Sequence, residues 1–92
     1  MANAVASYVD GVGNRADAIQ WDGDPDTLTA ILAWSGRVHL DRRNVLCVQT
    51  PGITLHVGHS DWLVMDSNRQ GQVFPNPNAQ FVSTYTAAAP PA

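Results

Sequence analysis

The sequence predicts an α+β fold, in which one α-helix packs on a small, mainly antiparallel β-sheet of five to six strands. Three observations support this fold class. Residues 24–36 combine helix-capping side chains with apolar residues at helical spacing. Most of residues 37–86 instead alternate apolar and polar side chains, which is the period of a β-strand. Glycine, proline and aspartate interrupt these runs, as they do at turns between strands.

The helix is predicted over Asp24–Ser35. Asp24 suits the N-cap, and Pro25 suits the first helical position, where a backbone N–H would have no partner. One face collects residues three and four positions apart, and we expect it to cover the sheet. This face consists of Leu28, Ile31, Leu32 and Ser35. Gly36 should end the helix in the left-handed conformation, and Trp34 lies beside the apolar face.

Alternating runs on both sides of the helix supply the strands. They comprise residues 18–21, 37–40, 44–50, 53–57, 61–65 and 72–74, and residues 82–86 can form a last strand. The run at 61–65 is apolar on both faces, so we expect it to be the most central strand. Pro51-Gly52 is a strong turn signal, after which Ile53, Leu55 and Val57 should face the core.

The C-terminal part contains further turn and helix signals. Residues 66–71 are a polar turn, and Pro75 should end the preceding strand because proline cannot donate to a strand ladder. Asn76 and Pro77 are suited to begin a single helical turn that reaches Phe81.

A chain of 92 residues accommodates one hydrophobic core, and we predict a single domain over residues 15–86. Residues 1–14 have no sustained period, so they should form a flexible N-terminal arm or add a strand that docks through Tyr8 and Val9. Residues 87–92 are only alanine and proline and should form a disordered tail. Small domains bury little surface, so a homodimer would add stability.

Composition and charge narrow the classes of partner. The formal net charge of −3 disfavours nucleic acid, and no apolar run is long enough to span a membrane. Cys47 is the only cysteine, so no disulfide forms within the chain, and we expect a small buried side chain. The N-terminus lacks the pattern of a secretory signal. All five basic residues are arginine and alanine is abundant, which indicates a GC-rich genome and an actinobacterial host.

Two short clusters of polar residues invite a catalytic or metal-binding interpretation. His56, His59 and Asp61 offer metal ligands, but a strand places residues 56 and 59 on opposite faces, and no further ligand completes the set nearby. We expect the Asp61 carboxylate to accept backbone N–H bonds in a turn instead. His59, Ser60 and Asp61 are adjacent, so they cannot adopt the geometry of a catalytic triad.

A third cluster, Asp22, Asp24 and Asp26, alternates like the start of a calcium-binding loop. The chain contains no glutamate for the bidentate position of such a loop, and helix capping accounts for these aspartates. The sequence therefore predicts no catalytic residue, no cofactor and no metal site.

Residues 50–85 contain an aspartate–aromatic pair, a glycine turn, an aromatic–proline pair, and a late phenylalanine and tyrosine. The positions are Thr50, Gly52, Asp61-Trp62, Gly71, Phe74-Pro75, Phe81 and Tyr85. In these features the segment resembles the shared module of a widespread group of small phage and prophage proteins. Residues 18–23 are similar to the opening of that group, so the resemblance spans most of residues 18–86. The chain departs from it at His59-Ser60, where the group has proline–glycine, and before Arg15, where residues are added.

The resemblance implies a phage origin and a shared fold, and it brings no catalytic residues. We expect a small non-enzymatic accessory protein that binds a host or phage protein in the cytoplasm of the infected bacterial host. Two alternatives stay open: a minor virion structural or decoration protein, and a small-molecule or nucleotide binder that counters host defence. The candidate interaction residues are Trp34, Arg42, Arg43 and His56.

Overall fold

The computed structural model describes residues 3–66 and 72–87, which form two antiparallel sheets and two helices. The elements in chain order are β1 Ala6–Val9, β2 Arg15–Gln20, α1 Pro25–Trp34, β3 Val38–Leu40, β4 Leu46–Thr50, β5 Ile53–Val57, β6 Trp62–Asp66, β7 Phe74–Asn76, α2 Asn78–Thr84 and β8 Thr86–Ala87. One sheet has the strand order β7-β6-β2-β1-β8, and the other has the order β3-β4-β5. The predicted mixture of helix and antiparallel strands is confirmed, although the described residues form two helices and two sheets where one helix and one sheet were predicted. Within the described ranges, no helix has the length and apolar character needed to cross a bilayer.

Two kinds of pairing build the two sheets. The three-stranded sheet is a meander, in which each strand pairs with the next one along the chain. Its β4–β5 turn is the predicted Pro51-Gly52 turn, with Gly52 at φ +93°. The five-stranded sheet depends on the pairing of β2 with β6, which joins Ala16–Gln20 to Trp62–Asp66 across α1 and the whole meander. The meander therefore forms a sheet of its own.

Helix α1 begins where its capping residues predict. The Asp24 side chain accepts a hydrogen bond at 2.8 Å from the backbone N–H two residues later, and Pro25 is in the first turn. The buried side of the helix is centred on Thr27 and Ile31, whereas Leu32, predicted to face inward, is 47 % exposed. Thr27 can be buried because its hydroxyl donates a hydrogen bond to the Asp22 carboxylate at 3.2 Å.

The end of α1 differs from the expected glycine cap. Ser35 is the C-cap, and its N–H donates to the Ile31 carbonyl at 2.9 Å. Gly36 does not have a positive φ, so the predicted left-handed conformation is wrong. The buried Ser35 hydroxyl instead accepts a hydrogen bond from the Arg37 N–H at 3.2 Å. This local bond satisfies the polar side chain where the chain turns into β3.

The core consists of two clusters, which lie on opposite faces of β2 and of the residue that follows it, Trp21. Ile19 and Trp21 belong to the larger cluster, and Ala16 and Ala18 belong to the smaller one, as the two-residue period of a strand requires. The larger cluster comprises Ile19, Trp21, Ile31, Val38, Leu46, Val48, Val57, Leu63 and Val73. The smaller one comprises Ala16, Ala18, Val64 and Phe81, with Tyr8, Trp62 and Tyr85 packed against it. Strand β6 is apolar on both faces as predicted, but β2 is the middle strand.

Residues 6–9 form a strand of the five-stranded sheet. Strand β1 pairs antiparallel with β2, and its other edge pairs with β8. Tyr8 packs edge-on against Trp62 and Phe81, with ring centroids 5.5 and 5.1 Å away. The described part of residues 1–14 therefore contains the added strand, docked through Tyr8 against Trp62 of β6 and Phe81 of α2.

The C-terminal elements depart from the prediction in three places. Pro75 lies inside β7, which pairs only with β6 among the described strands and is thus an edge strand, where proline is tolerated. The N-cap of α2 is Pro77 instead of Asn76. The helix runs to Thr84, so the predicted strand at residues 82–86 is reduced to β8. In the predicted turn and tail, residues 67–71 and 88–92 lie outside the described residues.

The alternation predicted for β5 is confirmed at its end and is wrong at its start. Val57 is buried and Leu55 is half-buried, while Thr54 and His56 are exposed as expected. Ile53 is 57 % exposed, because it directly follows the tight turn and belongs to neither core cluster.

Candidate functional site

One face of the three-stranded sheet collects the ionisable side chains of the meander. His39 is the cross-strand partner of Cys47, and Cys47 is the cross-strand partner of His56. Residues directly opposite each other in antiparallel strands share a face, so these three side chains form one row. The adjacent row, with Leu46 and Val57, belongs to the larger core cluster on the opposite face. We call the first surface, together with the adjoining loop between β3 and β4, the outer face; it comprises His39, Asp41, Arg42, Arg43, Cys47 and His56.

The loop between β3 and β4 is built around the Asp41 side chain. Its Oδ1 accepts hydrogen bonds from the backbone N–H groups of Arg43 and Val45, at 2.8 and 2.9 Å. The Asn44 N–H donates to the Asp41 carbonyl at 3.1 Å, and Asn44 has φ +61°, as expected at the end of a three-residue hairpin loop. The N–H bonds, that of Val45 first, lower the pKa of Asp41. The loop leaves Arg42 and Arg43 exposed at its tip.

Three potential metal ligands converge on the outer face. A carboxylate oxygen of Asp41, the sulfur of Cys47 and an imidazole nitrogen of His56 all lie within 4.8 Å of one another. Cys47 is 2 % exposed, Asp41 is half-buried and His56 is exposed. Burial raises the pKa of the Cys47 thiol, and the negative charge of Asp41 raises that pKa further. This is the one group of three such ligands found in residues 3–66 and 72–87.

His59 and Asp61 have structural roles and do not join His56. The Asp61 side chain accepts a hydrogen bond from the Gly58 N–H at 3.0 Å, which confirms the predicted turn role. The His59 ring packs edge-on against Trp21, with the ring centroids 6.0 Å apart. Of the three potential metal ligands considered from the sequence, His56, His59 and Asp61, only His56 belongs to the group that the structure brings together.

The three alternating aspartates at residues 22–26 shape the start of α1. The Asp22 carboxylate accepts hydrogen bonds from the Asp24 N–H at 2.9 Å and from the Thr27 hydroxyl at 3.2 Å. The Asp24 side chain accepts one from the Asp26 N–H. The predicted explanation by helix capping is confirmed by these bonds.

The four candidate interaction residues do not share one surface. Arg42, Arg43 and His56 are exposed on the outer face. Trp34 belongs to α1, is half-buried, and packs against the larger core cluster. A role in the core thus accounts for Trp34, and the outer face is the candidate site.

Charge is distributed unevenly along the chain. Residues 37–57 carry three of the five arginines and one of the eight aspartates, a formal charge of +2 in a chain of −3. The three arginines, Arg37, Arg42 and Arg43, are all exposed. The single aspartate, Asp41, holds its own loop together through Oδ1. The three-stranded sheet is therefore the basic part of an acidic protein.

A cleft lies where the β4–β5 turn meets the segment around β7. Its volume is about 140 Å³, and its lining residues are Arg37, Gln49, Thr50, Pro51, Gln72, Val73 and Phe74. Sites for drug-sized ligands usually measure about 300–1,000 Å³. The cleft is too small to enclose a nucleotide, so it lends no support to the small-molecule alternative.

Sequence reasoning missed Asp41 and Cys47 as neighbours of His56, although part of the signal was present. A two-residue turn at Pro51-Gly52 pairs Thr50 with Ile53, and counting outward from that pair places Cys47 opposite His56. The position of Asp41 follows from the geometry of its own loop, which the sequence alone does not specify.

The fold and the site define a small two-sheet α+β protein whose outer face carries a cluster of potential metal ligands. No family model matches this chain, and searches of curated proteins and of solved structures return no match.

Proposed function

We propose that the protein is a non-enzymatic phage accessory protein that uses the outer face to bind an acidic host or phage protein in the cytoplasm of the infected bacterium. The observation that carries this proposal is the concentration of exposed arginines on one sheet of an acidic chain. Complementary charge steers two proteins together and selects against wrong partners. The phage origin rests on the resemblance of residues 50–85.

An acidic protein surface suits this face better than nucleic acid does. Nucleic-acid binding without sequence preference draws on many lysine and arginine contacts to phosphates. The three-stranded sheet offers three arginines and no lysine, while the rest of the chain carries seven aspartates and two arginines. The acidic remainder would repel a long phosphate backbone, but it can be accommodated by a partner with a local acidic patch.

Affinity capture from lysate of the infected host, read by quantitative mass spectrometry, tests this proposal with three baits. The baits are the wild type, R42E/R43E and R15E. Arg15 is exposed at the start of β2 and outside the outer face, so R15E is a matched charge reversal. We expect the wild type and R15E to enrich the same acidic protein and R42E/R43E to lose it. Capture should also weaken with salt, which screens charges over about 8 Å at physiological ionic strength.

Two results would contradict the proposal. One is equal enrichment by all three baits, since the arginines would then be irrelevant. The other is stoichiometric presence of the chain in purified phage particles, which supports the virion alternative.

A homodimer stays a prediction, and light scattering after size-exclusion chromatography measures it directly.

A further inference from the structure

We propose that Asp41, Cys47 and His56 bind a zinc ion on the outer face of the three-stranded sheet. The proposal does not depend on a protein partner for that face. The three side chains offer a carboxylate oxygen, a thiolate sulfur and an imidazole nitrogen, which are the donor types of zinc sites in proteins. Calcium and magnesium prefer sites made of oxygen atoms alone, so this donor set selects zinc and similar borderline-soft cations.

The distances among the three ligand atoms suit a metal ion better than direct contact. The atoms all lie within 4.8 Å of one another, yet none of the three side chains hydrogen-bonds to another within the described part of the chain. Ligand atoms at 2.0–2.3 Å from a tetrahedral zinc ion lie about 3.3–3.7 Å apart. A contraction of up to about 1.5 Å closes the set around an ion, and a small χ rotation of the exposed His56 side chain can supply most of it.

The backbone holds the three ligands in place before an ion arrives. Cys47 and His56 are directly paired residues of β4 and β5, so their side chains start from adjacent positions on one face. Asp41 is held by the two N–H bonds to its Oδ1, which leave Oδ2 available as a ligand. Only side-chain rotation remains to be restricted, which limits the entropy lost on binding.

Proton balance and coordination number are both satisfied. The Cys47 thiol, which donates to the Val45 carbonyl at 3.5 Å, releases one proton to solvent as the zinc–sulfur bond forms. Asp41 binds as a carboxylate and His56 binds as neutral imidazole. Three protein ligands and one water molecule complete four-coordination. His39, the other cross-strand neighbour of Cys47, is not in the group of three.

Metal titration of the tag-free chain tests the site, with Zn²⁺ for affinity and Co²⁺ as a spectroscopic probe. We expect one equivalent of Co²⁺ to give a thiolate-to-metal charge-transfer band, and Zn²⁺ to displace it and to raise the unfolding temperature. C47S and H56A should abolish the band or weaken Zn²⁺ binding by more than about a hundredfold, beyond the effect of losing a supporting partner. D41N keeps an acceptor for the loop N–H groups and should weaken binding by at least about tenfold.

H39A is the matched control, because His39 is an exposed histidine on the same face and in the same cross-strand row. It should keep the band and the affinity within about threefold, and circular dichroism checks that every variant is folded. The proposal is overturned if the wild type gives no thiolate band with Co²⁺, or if C47S and H56A bind Zn²⁺ as the wild type does. Loss of binding in H39A equal to that in H56A would refute the three-ligand set.

Discussion

Replacing Ser60 with glycine should stabilise the protein, because Ser60 has a backbone conformation that favours glycine. In the turn at residues 58–61, the Asp61 N–H donates to the Gly58 carbonyl at 3.1 Å, and Ser60 has φ +77°. A φ near +80° is typical of the third residue of a type II turn, where glycine is preferred. Serine in this conformation costs about 1–2 kcal/mol.

The net gain from S60G should be smaller than the strain it removes. Glycine makes the unfolded chain more flexible, which offsets about 0.5–1 kcal/mol. The hydrogen bonds that fix Ser60 use its backbone: its N–H donates to the Trp21 carbonyl at 2.7 Å, and its carbonyl accepts from the Gln20 side chain at 3.0 Å. Glycine keeps both bonds. We expect a gain of about 0.5–1 kcal/mol in the free energy of unfolding, or roughly 2–8 °C in Tm.

Thermal and urea unfolding, followed by circular dichroism, measure the effect in the wild type, S60G and S60A. S60A removes the hydroxyl and keeps Cβ, so it retains the strained conformation and should stay within about 0.5 kcal/mol of the wild type. Strain at residue 60 is refuted if S60G is no more stable than the wild type. It is also refuted if S60A gains as much as S60G, because the hydroxyl would then explain the change.

Two other predictions concern loops. Backbone N–H bonds from Asn14 at 2.9 Å and Val12 at 3.0 Å hold the pKa of Asp10 below its ordinary value. The stability that these bonds confer is present above about pH 4 and is lost as pH falls through the folded-state pKa. The urea midpoint of D10A should therefore vary less between about pH 5 and 2 than that of the wild type. An unchanged pH dependence in D10A would contradict this role. Gly23 has φ +82°, and in G23A the new Cβ would lie 2.9 Å from the His59 ring. The free energy of unfolding should therefore fall by at least about 1–2 kcal/mol. In a double-mutant cycle, H59A should restore the part of this loss that is due to the clash.

Local chemistry predicts where α1 begins, but not which side of it becomes buried. The start of α1 follows from Asp24 and Pro25, whose conformational preferences act within one turn. The buried side of α1 depends on where the sheets lie, and it favours Thr27 over Leu32. In a hydropathy pattern Thr27 is a polar residue and is expected at the surface. The pattern does not show that the Asp22 carboxylate accepts the hydrogen bond from its hydroxyl, which permits burial.

The division into two sheets is a long-range property that short patterns do not contain. Strands β3, β4 and β5 pair through neighbouring turns, whereas β2 and β6 pair across about half of the chain. The small residues Ala16 and Ala18 give β2 a second buried face, which Phe81 covers from α2. Alanines alternating with charged residues read as a weak strand, so their burial depends on an element that lies far along the sequence.

The candidate site shows how a turn determines chemistry several residues away. The register of β4 and β5 is set at Pro51-Gly52, and this register alone places Cys47 opposite His56. A slip of one residue would turn the His56 side chain toward the core and separate the pair, although neither residue had changed. Asp41 requires a second condition, since its carboxylate is held near Cys47 by a loop that ends at Asn44 in the left-handed conformation. A pattern search over adjacent residues finds His56, His59 and Asp61; counting across paired strands finds the partners that the fold provides.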